Sequence, residues 1–540
     1  MRQAFVRELL SGNPDLGPGT IYPQLTRGRA QQIAPLLSRL RHSEVSGSSV
    51  DLLRELDLLV RPVNWSTLVV SRVVQQLGTV DISAALSLIA QVALGLRLVK
   101  NFASESQFRD LLRPPAPVFA FALTEASPGS DVSQIQTHAE PVPGGYRISG
   151  VKSWVTNAAF ATHFVVFART VPPHAGNKPR LSAFIIGPSS GLSVKPVASE
   201  VLPGAGVGEL HLDRVLVGED ALLGQVGKGF RVVMSGLAEA RLLLGAAATG
   251  ACVRAFNDTV ERLNARRAFG RAVGNFPSVQ DRVAGMLADV LALESLVNAV
   301  AGLDEGDART DPVERAVVRL AASRTSSRVL DAARELFGAA AFVGSATPAR
   351  RWMDTRALTL LDGSDLSLES YVVLEGTREI RHRLGALSDN LDPLSRLDAF
   401  GSHALAQVRA RMRRAFSVEV PGASTQTLAA FVRELGDRVQ HEVRTHGPDI
   451  VERQHVHRRL AGVLTELSTW EALSSRVAAE VARHGPVGAR RMIEAAEIWV
   501  ASASVRLRAQ FDLLERSDDG LRDRIANRVY TDGAYPFDIL

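Results

Sequence analysis

FAFALTEASPGSDVSQIQTHAEPVPGGYRISGVKSWVTN, residues 119–157, is the stretch on which the fold turns. It opens with a short apolar strand, passes through a loop rich in Ser and Gly, and closes with two alternating strands joined at Pro143-Gly144-Gly145. Alternation predicts Trp154 and Thr156 on one face of the last strand and Val155 on the other. A flat ring beside a hydroxyl suits a planar, hydrogen-bonding ligand. Ser130 and the loop amides around Gly129 suit an anion. A plain β-hairpin with polar loop residues fits the same letters.

Period-two patterning continues to about residue 224, with strand candidates at 119–123, 146–156, 164–169, 181–187, 192–197 and 209–217. No long helix intervenes, so an antiparallel, barrel-like sheet is predicted and a parallel Rossmann sheet is not. The glycines at 204, 206 and 208 open no helix and read as a loop. Before the sheet, residues 1–117 show helical spacing (Ile33, Leu36, Leu37, Leu40; 52–60; 80–99) and end at Pro114, Pro115 and Pro117. After it, helices are predicted at 229–269, 278–303 and 312–337, with two shorter ones to about Leu387, which together make a bundle. A further helical segment occupies 391–540, at 394–416, 425–445, 450–484 and 487–514. The expected architecture is α+β in four parts: helical 1–117, sheet 118–224, bundle 225–390 and helical extension 391–540.

Composition narrows the class. Of 540 residues, 46% are apolar and 22% charged, as in ordinary globular proteins. The net charge of +5 and pI near 9.6 rest almost wholly on arginine, since Lys100, Lys152, Lys178, Lys195 and Lys228 are the only lysines. No basic stripe interleaved with aromatics accompanies them, so nucleic acid is not an expected partner. The one cysteine, Cys252, lies in an apolar run and is expected to be a buried thiol, with no disulfide framework. The N-terminus has no apolar signal core and no uninterrupted apolar run long enough to cross a bilayer is expected, so a cytoplasmic protein is expected. No metal site is predicted.

The letters of the opening stretch resemble the acyl-CoA dehydrogenase family. Thr124, Glu125, Gly129, Ser130 and Asp131 are similar to its TE-x-x-x-GSD loop, and Lys152, Trp154, Val155, Thr156 and Asn157 to its K-x-W-[IVS]-[TS]-N strand. Two later segments extend the resemblance over residues 25–390: Arg266 to Gly270 against R-x-[TQ]-F-G, with Arg241 28 positions before Phe269, and Glu335 to Phe342 against Q-x-[FL]-G-G-x-G-[FY]. The resemblance implies FAD, with Thr124, Trp154 and Thr156 at the isoalloxazine, Ser130 and Arg266 at the phosphates, and Phe269 and Gly338 nearby. Departures from the family pattern are Ala268, Pro277, and alanines at 339 and 341 where glycines let the adenine end approach. The segment 101–112 is similar to the family's turn before the sheet, without its usual Gly and Lys.

Dehydrogenating an acyl thioester requires a carboxylate to take the α-proton. Two candidates compete. Leu374-Glu375-Gly376-Thr377 matches the family's Y-E-G-T closely, whereas spacing favours Asp362, eight residues after Asp354 as the family's glutamate follows its R-D-A-[KR] element. On one continuous helix the two would lie about 20 Å apart on nearly opposite faces. Glu239 and Ala240 occupy the alternative base region of some relatives. An aspartate base also resembles nitroalkane oxidase, which keeps a flavin oxidase open, and the lost glycines leave a non-catalytic relative open. The resemblance further implies an acyl-CoA or carrier-bound substrate, an electron-transferring flavoprotein as electron acceptor, and a homo-oligomer. The extension resembles that of very-long-chain members, which favours a dimer, and the basic segment 409–416 allows peripheral membrane contact.

Overall fold

The computed structural model describes residues 22–23, 27–41, 47–127, 129, 131–170, 180–303, 311–343, 348–378 and 425–537. The chain divides into two compact units, one spanning Ile21–Ser367 and the other Leu368–Leu540. Ser130, the predicted helix 394–416 and the basic segment 409–416 lie outside the described residues.

The first unit begins with α1 (Arg27–Arg41), α2 (Ser49–Glu55), α3 (Thr67–Val80), α4 (Ile82–Gln91), α5 (Arg97–Phe102) and α6 (Glu105–Leu111). Ser66 and Asp81 cap α3 and α4 through their side-chain oxygens. A π-helical turn, Val92–Leu96, joins α4 to α5. Ser104 and Gln107 form a reciprocal capping box on α6, and the Gln107 amide also donates to the Leu222 carbonyl at 3.3 Å, tying the helices to the sheet.

Eight strands follow: β1 (Phe119–Ala122), β2 (His138–Val142), β3 (Gly145–Val155), β4 (His163–Thr170), β5 (Arg180–Ile186), β6 (Leu192–Pro196), β7 (Gly208–Gly218) and β8 (Leu222–Leu223). Their order is β6-β7-β3-β2-β4-β5-β8, with β1 beside β4. The sheet is mixed, which corrects the antiparallel expectation. β1 pairs with β4 in parallel over residues 163–166, and β2 joins β4 in parallel at Arg169. The reason is that β1 and β2 run in the same direction along β4, and residues 123–137 interrupt one path rather than reversing it. β4 is apolar on both faces because both are covered. Phe164, Val166 and Ala168 join Ile148, Phe184 and Leu212 inside the sheet, while Val165 and Phe167 face Leu96, Val99 and Val232 of the helices.

The bundle of this unit consists of α7 (Gly229–Ala265), a two-stranded hairpin β9 (Arg267–Ala268) and β10 (Arg271–Ala272), α8 (Pro277–Leu303), α9 (Pro312–Phe337) and α10 (Pro348–Leu358). α3 crosses α7 at two glycines. A Cβ on Gly78 would lie 2.4 Å from the Ala247 carbonyl oxygen and one on Gly250 2.0 Å from that of Gln75, so the crossing requires bare backbone. Cys252 is fully buried, and burial pushes its thiol well above the ordinary range. Among the described residues, three helical stretches, Ile82–Phe102, Gly229–Ala265 and Pro277–Leu303, are long and apolar enough to cross a membrane by length and composition, contrary to expectation. The most apolar windows of the first two are 94% and 83% buried within the protein, and that of the third is 56% buried.

Helix α11 (Asp365–Gly376) contains the boundary between the units. The second unit continues with α12 (Thr425–His446), α13 (Gln454–Gly488, kinked at Gly485-Pro486), α14 (Arg490–Glu515) and α15 (Asp519–Asp532). Phe431, Trp470 and Phe511 bring α12, α13 and α14 together around one aromatic core. No residue of α15 is buried.

Candidate active site

The end of β3 is shaped by a buried ion pair. Lys152 is fully buried and Glu125 nearly so, and the ammonium donates to Glu125 Oε1 at 2.8 Å and to the Leu123 carbonyl at 3.0 Å. Glu125 also accepts from the Thr137 hydroxyl at 2.6 Å and from the amides of Gln136 and Thr137 at 2.7 and 3.0 Å. Burial pushes Lys152 down to about 8, with Glu125 opposing the shift. Burial raises the Glu125 carboxyl, but the Lys152, Thr137 and amide donors outweigh it and hold it below its usual value.

Drawing Lys152 inward breaks the alternation. The β3–β7 register slips between Lys152 and Val155, Ser153 is buried beside Lys152, and its amide donates to the Thr124 carbonyl at 2.9 Å. Trp154 takes a left-handed conformation, φ +59°, with its residue 62% exposed. β3 ends at Val155, so Thr156 lies in the following turn, half-buried. This corrects the simple expectation that Trp154 and Thr156 project from one regular strand face. Asn157 anchors the turn: its side-chain amide donates to the Ser87 and Phe119 carbonyls at 3.1 and 3.2 Å, and its backbone N–H donates to the Ala205 carbonyl at 2.9 Å.

A second cluster surrounds Asp362, in the turn between α10 and α11. Asp362 and Gly363 both have positive φ, +57° and +106°. Two buried guanidinium groups hold this turn by its carbonyls. Arg241 donates from Nε to the Asp362 carbonyl at 3.1 Å, and Arg319 reaches the Leu361 carbonyl and Asp365, each at 3.4 Å. Burial pushes the half-buried Asp362 carboxyl up to about 6, while Arg241 and Arg319 pull it back. A small cleft, with room for little more than a water molecule, lies between α7, α9 and α10, lined by Leu244, Arg319, Ser323, Thr355 and Thr359 among others. Leu360, two residues before Asp362, is 72% exposed and gives the carboxylate no apolar wall.

Glu375 stands near the end of α11 in the second unit, its side chain 40% exposed and 3.6 Å from Arg378. Glu239 is taken up by a close ion pair with Arg97, and Ala240 is fully buried.

The third group lies where α7 ends. Arg266 is exposed, and a Cβ added to Gly338 would lie 3.6 Å from its guanidinium. Arg262 donates to the Phe337 carbonyl at 3.2 Å, fixing the end of α9 beside it. Phe269 and Gly270, both at positive φ, form the two-residue turn of the β9–β10 hairpin, as the hairpin's twist demands. Phe269 is 94% exposed. Sequence reasoning left two groups without a role. Arg319, a lone cation in the apolar run AVVRLAAS, signals a buried charge in need of a partner. Asp354, used above only as a spacing marker, bonds to a distant loop.

The three clusters correspond to a known domain pair. Residues 120–215 match the acyl-CoA dehydrogenase middle domain and residues 227–381 the acyl-CoA dehydrogenase C-terminal domain. The two matches stand in order on this helix–sheet–helix scaffold, so residues 120–215 and 227–381 carry the middle and C-terminal domains of an acyl-CoA dehydrogenase. Among its relatives, the mitochondrial very long-chain specific acyl-CoA dehydrogenase of Bos taurus is 26% identical over 465 residues, covering 82% of this chain and 70% of that one. A probable acyl-CoA dehydrogenase of Mycobacterium bovis is 26% identical over 584 residues, covering 98% and 88%. The crystal structure of an acyl-CoA dehydrogenase complexed with FAD from Bacillus anthracis has a TM-score of 0.82 at 20% identity, over 98% of this chain and 96% of that chain.

Proposed function

We propose that this protein is an FAD-dependent dehydrogenase that introduces an α,β double bond into an acyl thioester, with Asp362 removing the α-proton. The observation that carries the assignment is the Asp362 turn: a half-buried carboxylate raised to about 6, in a backbone held by Arg241 and Arg319. Such a group is deprotonated at neutral pH yet basic enough to accept a proton. Glu375, half-buried near the end of α11, lies instead 3.6 Å from the Arg378 guanidinium, which favours a carboxylate that stays charged.

The residues present suit FAD. Trp154 offers an exposed ring face, Thr124 and Thr156 flank it, and Arg266 offers an exposed guanidinium beside the Gly338 turn. Trp154, Thr124 and Thr156 would hold the isoalloxazine, and Arg266, with Ser130, Phe269 and Gly338, the phosphate and adenine portions. FAD, when bound, supplies the acceptor for the β-hydride. Asp362 takes the α-proton onto a carboxylate oxygen and keeps it until product leaves. The Lys152–Glu125 pair fixes the strand that presents Trp154. Electrons then pass to an electron-transferring flavoprotein.

Anaerobic titration of the FAD-loaded protein with butyryl-, octanoyl- and palmitoyl-CoA, following loss of flavin absorbance, tests this reading. Bleaching by the parent and by Glu375→Gln, and none by Asp362→Asn, is expected. The reverse pattern moves the base to Glu375. An aspartate in the base position also favours a second reading, a flavin oxidase, which predicts one peroxide released per turnover in air.

A further inference from the structure

Helix α10 ends in the Asp362 turn, and one residue of it reaches into the sheet. Asp354 Oδ1 accepts the Leu202 N–H at 2.8 Å, while Oδ2 accepts from Arg350 Nε at 3.1 Å. The Asp354 side chain is only 14% exposed, so water competes little for these bonds. Midway along the β6–β7 loop, Leu202 leads into the 3₁₀ turn Pro203–Ala205 in a left-handed conformation, φ +55°, and Gly206 follows that turn at φ +57°. A leucine at positive φ persists only where its surroundings hold it.

That loop supports the Trp154 turn. The Ala205 carbonyl accepts the Asn157 N–H at 2.9 Å, and the Gly206 carbonyl accepts the Ala159 N–H at 3.0 Å. Hydrogen bonds therefore run from α10 through the loop at 202–206 to the turn at 154–159. One end of the path carries Asp362 and the other carries Trp154 and Thr156. Asn157 also fastens the same turn to α4 and β1 through Ser87 and Phe119. Those bonds tie one side of the turn to the sheet, and the path through Ala205, Gly206 and Leu202 ties the other side to α10 at Asp354.

We propose that Asp354 is a positioning residue, setting the separation between the Asp362 carboxylate and the Trp154–Thr156 turn through the loop at 202–206. The proposal rests on the reading of Asp362 as the base. It assigns Asp354 no contact with substrate or cofactor. Its effect appears in the proton-transfer step, where a displacement of about 1 Å costs about 100-fold in rate.

The test compares parent, Asp354→Ala and Asp354→Asn as FAD-loaded full-length proteins, by amide hydrogen exchange and by the rate and KM of flavin bleaching with octanoyl-CoA. In Asp354→Ala, which loses some stability with the Leu202 bond, exchange rises selectively in peptides covering 153–160 and 200–207, while β4 and β5 stay as in the parent. The bleaching rate falls about 10- to 100-fold with KM little changed. Asp354→Asn, which keeps an acceptor for the Leu202 N–H, recovers most of both. Unchanged exchange at 153–160 overturns the proposal, as does a uniform rise in exchange with a lowered melting point. Asp354→Ser, too short to reach Leu202, serves in place of Asp354→Ala if the latter does not fold. Bleaching by Asp362→Asn at the parent rate would sink the base assignment instead, and the exchange data would then still report whether Asp354 couples the two segments.

Discussion

Replacing Asp362 by asparagine should have opposite effects on rate and on stability. The substitution keeps shape and removes charge. A positioned general base contributes about 10²- to 10⁴-fold, so the bleaching rate with octanoyl-CoA should fall by that factor. Stability moves the other way. The folded carboxyl titrates at about 6 against an unperturbed 3.8. A raised folded value means that the group's favourable contribution is complete below 3.8 and is lost as pH rises through 6. Two units correspond to at most about 3 kcal/mol, and solvent reaching the half-buried group reduces this to about 1–3 kcal/mol. Asparagine carries no charge to desolvate, so the variant should melt a few degrees above the parent at pH 7.5, with the gain gone at pH 4. The parent's kcat/KM should climb with pH through about 6 to a plateau. Stopped-flow bleaching and thermal melts at the two pH values measure both effects. A variant that bleaches at the parent rate, or that melts lower than the parent at pH 7.5, refutes the reasoning.

Lys152→Met should destabilise the first unit by about 3–5 kcal/mol, because it leaves the Glu125 carboxylate buried without its cation; urea unfolding measures the loss. Gly250→Ala forces a methyl against the Gln75 carbonyl and should cost about 1–3 kcal/mol or more, whereas Gly285→Ala, with nothing within 4 Å on the same bundle, should be neutral or slightly stabilising. Paired melting curves separate these outcomes. Glu375→Gln should bleach within about twofold of the parent, because Glu375 lies beside Arg378 and is not the proposed base, and a larger loss in stopped-flow runs would count against Asp362.

What the sequence makes legible here is what is local. Helix α9 was predicted and found at 312–337, because its signals are adjacent: Asp311 caps it, Pro312 begins it, and Gly338 at φ +64° ends it. The apolar run of β4 announces a strand buried on both faces. Alternation fails at Trp154, since the residue responsible, Lys152, turns inward toward Glu125, 27 positions away. The parallel pairing of β1 and β2 with β4 likewise depends on where a loop emerges, which no period records. Spacing alone pointed to Asp362, but its surroundings come from Arg241, 121 residues distant, and from Arg319 on another helix. Helix α15 escaped notice because none of its side chains joins a core.

The enclosure of Lys152 bears on the chemical safety of the protein. A thioester is an acylating agent, and an amine titrating near 8 is partly unprotonated at neutral pH, which makes it a ready nucleophile. Lys152 lies two residues from Trp154, yet it is fully enclosed, with its ammonium committed to Glu125 and the Leu123 carbonyl. The pair that steers the indole outward therefore also keeps the nearest amine from capturing the acyl group, so an activated carboxylic derivative can dwell beside this strand without marking it.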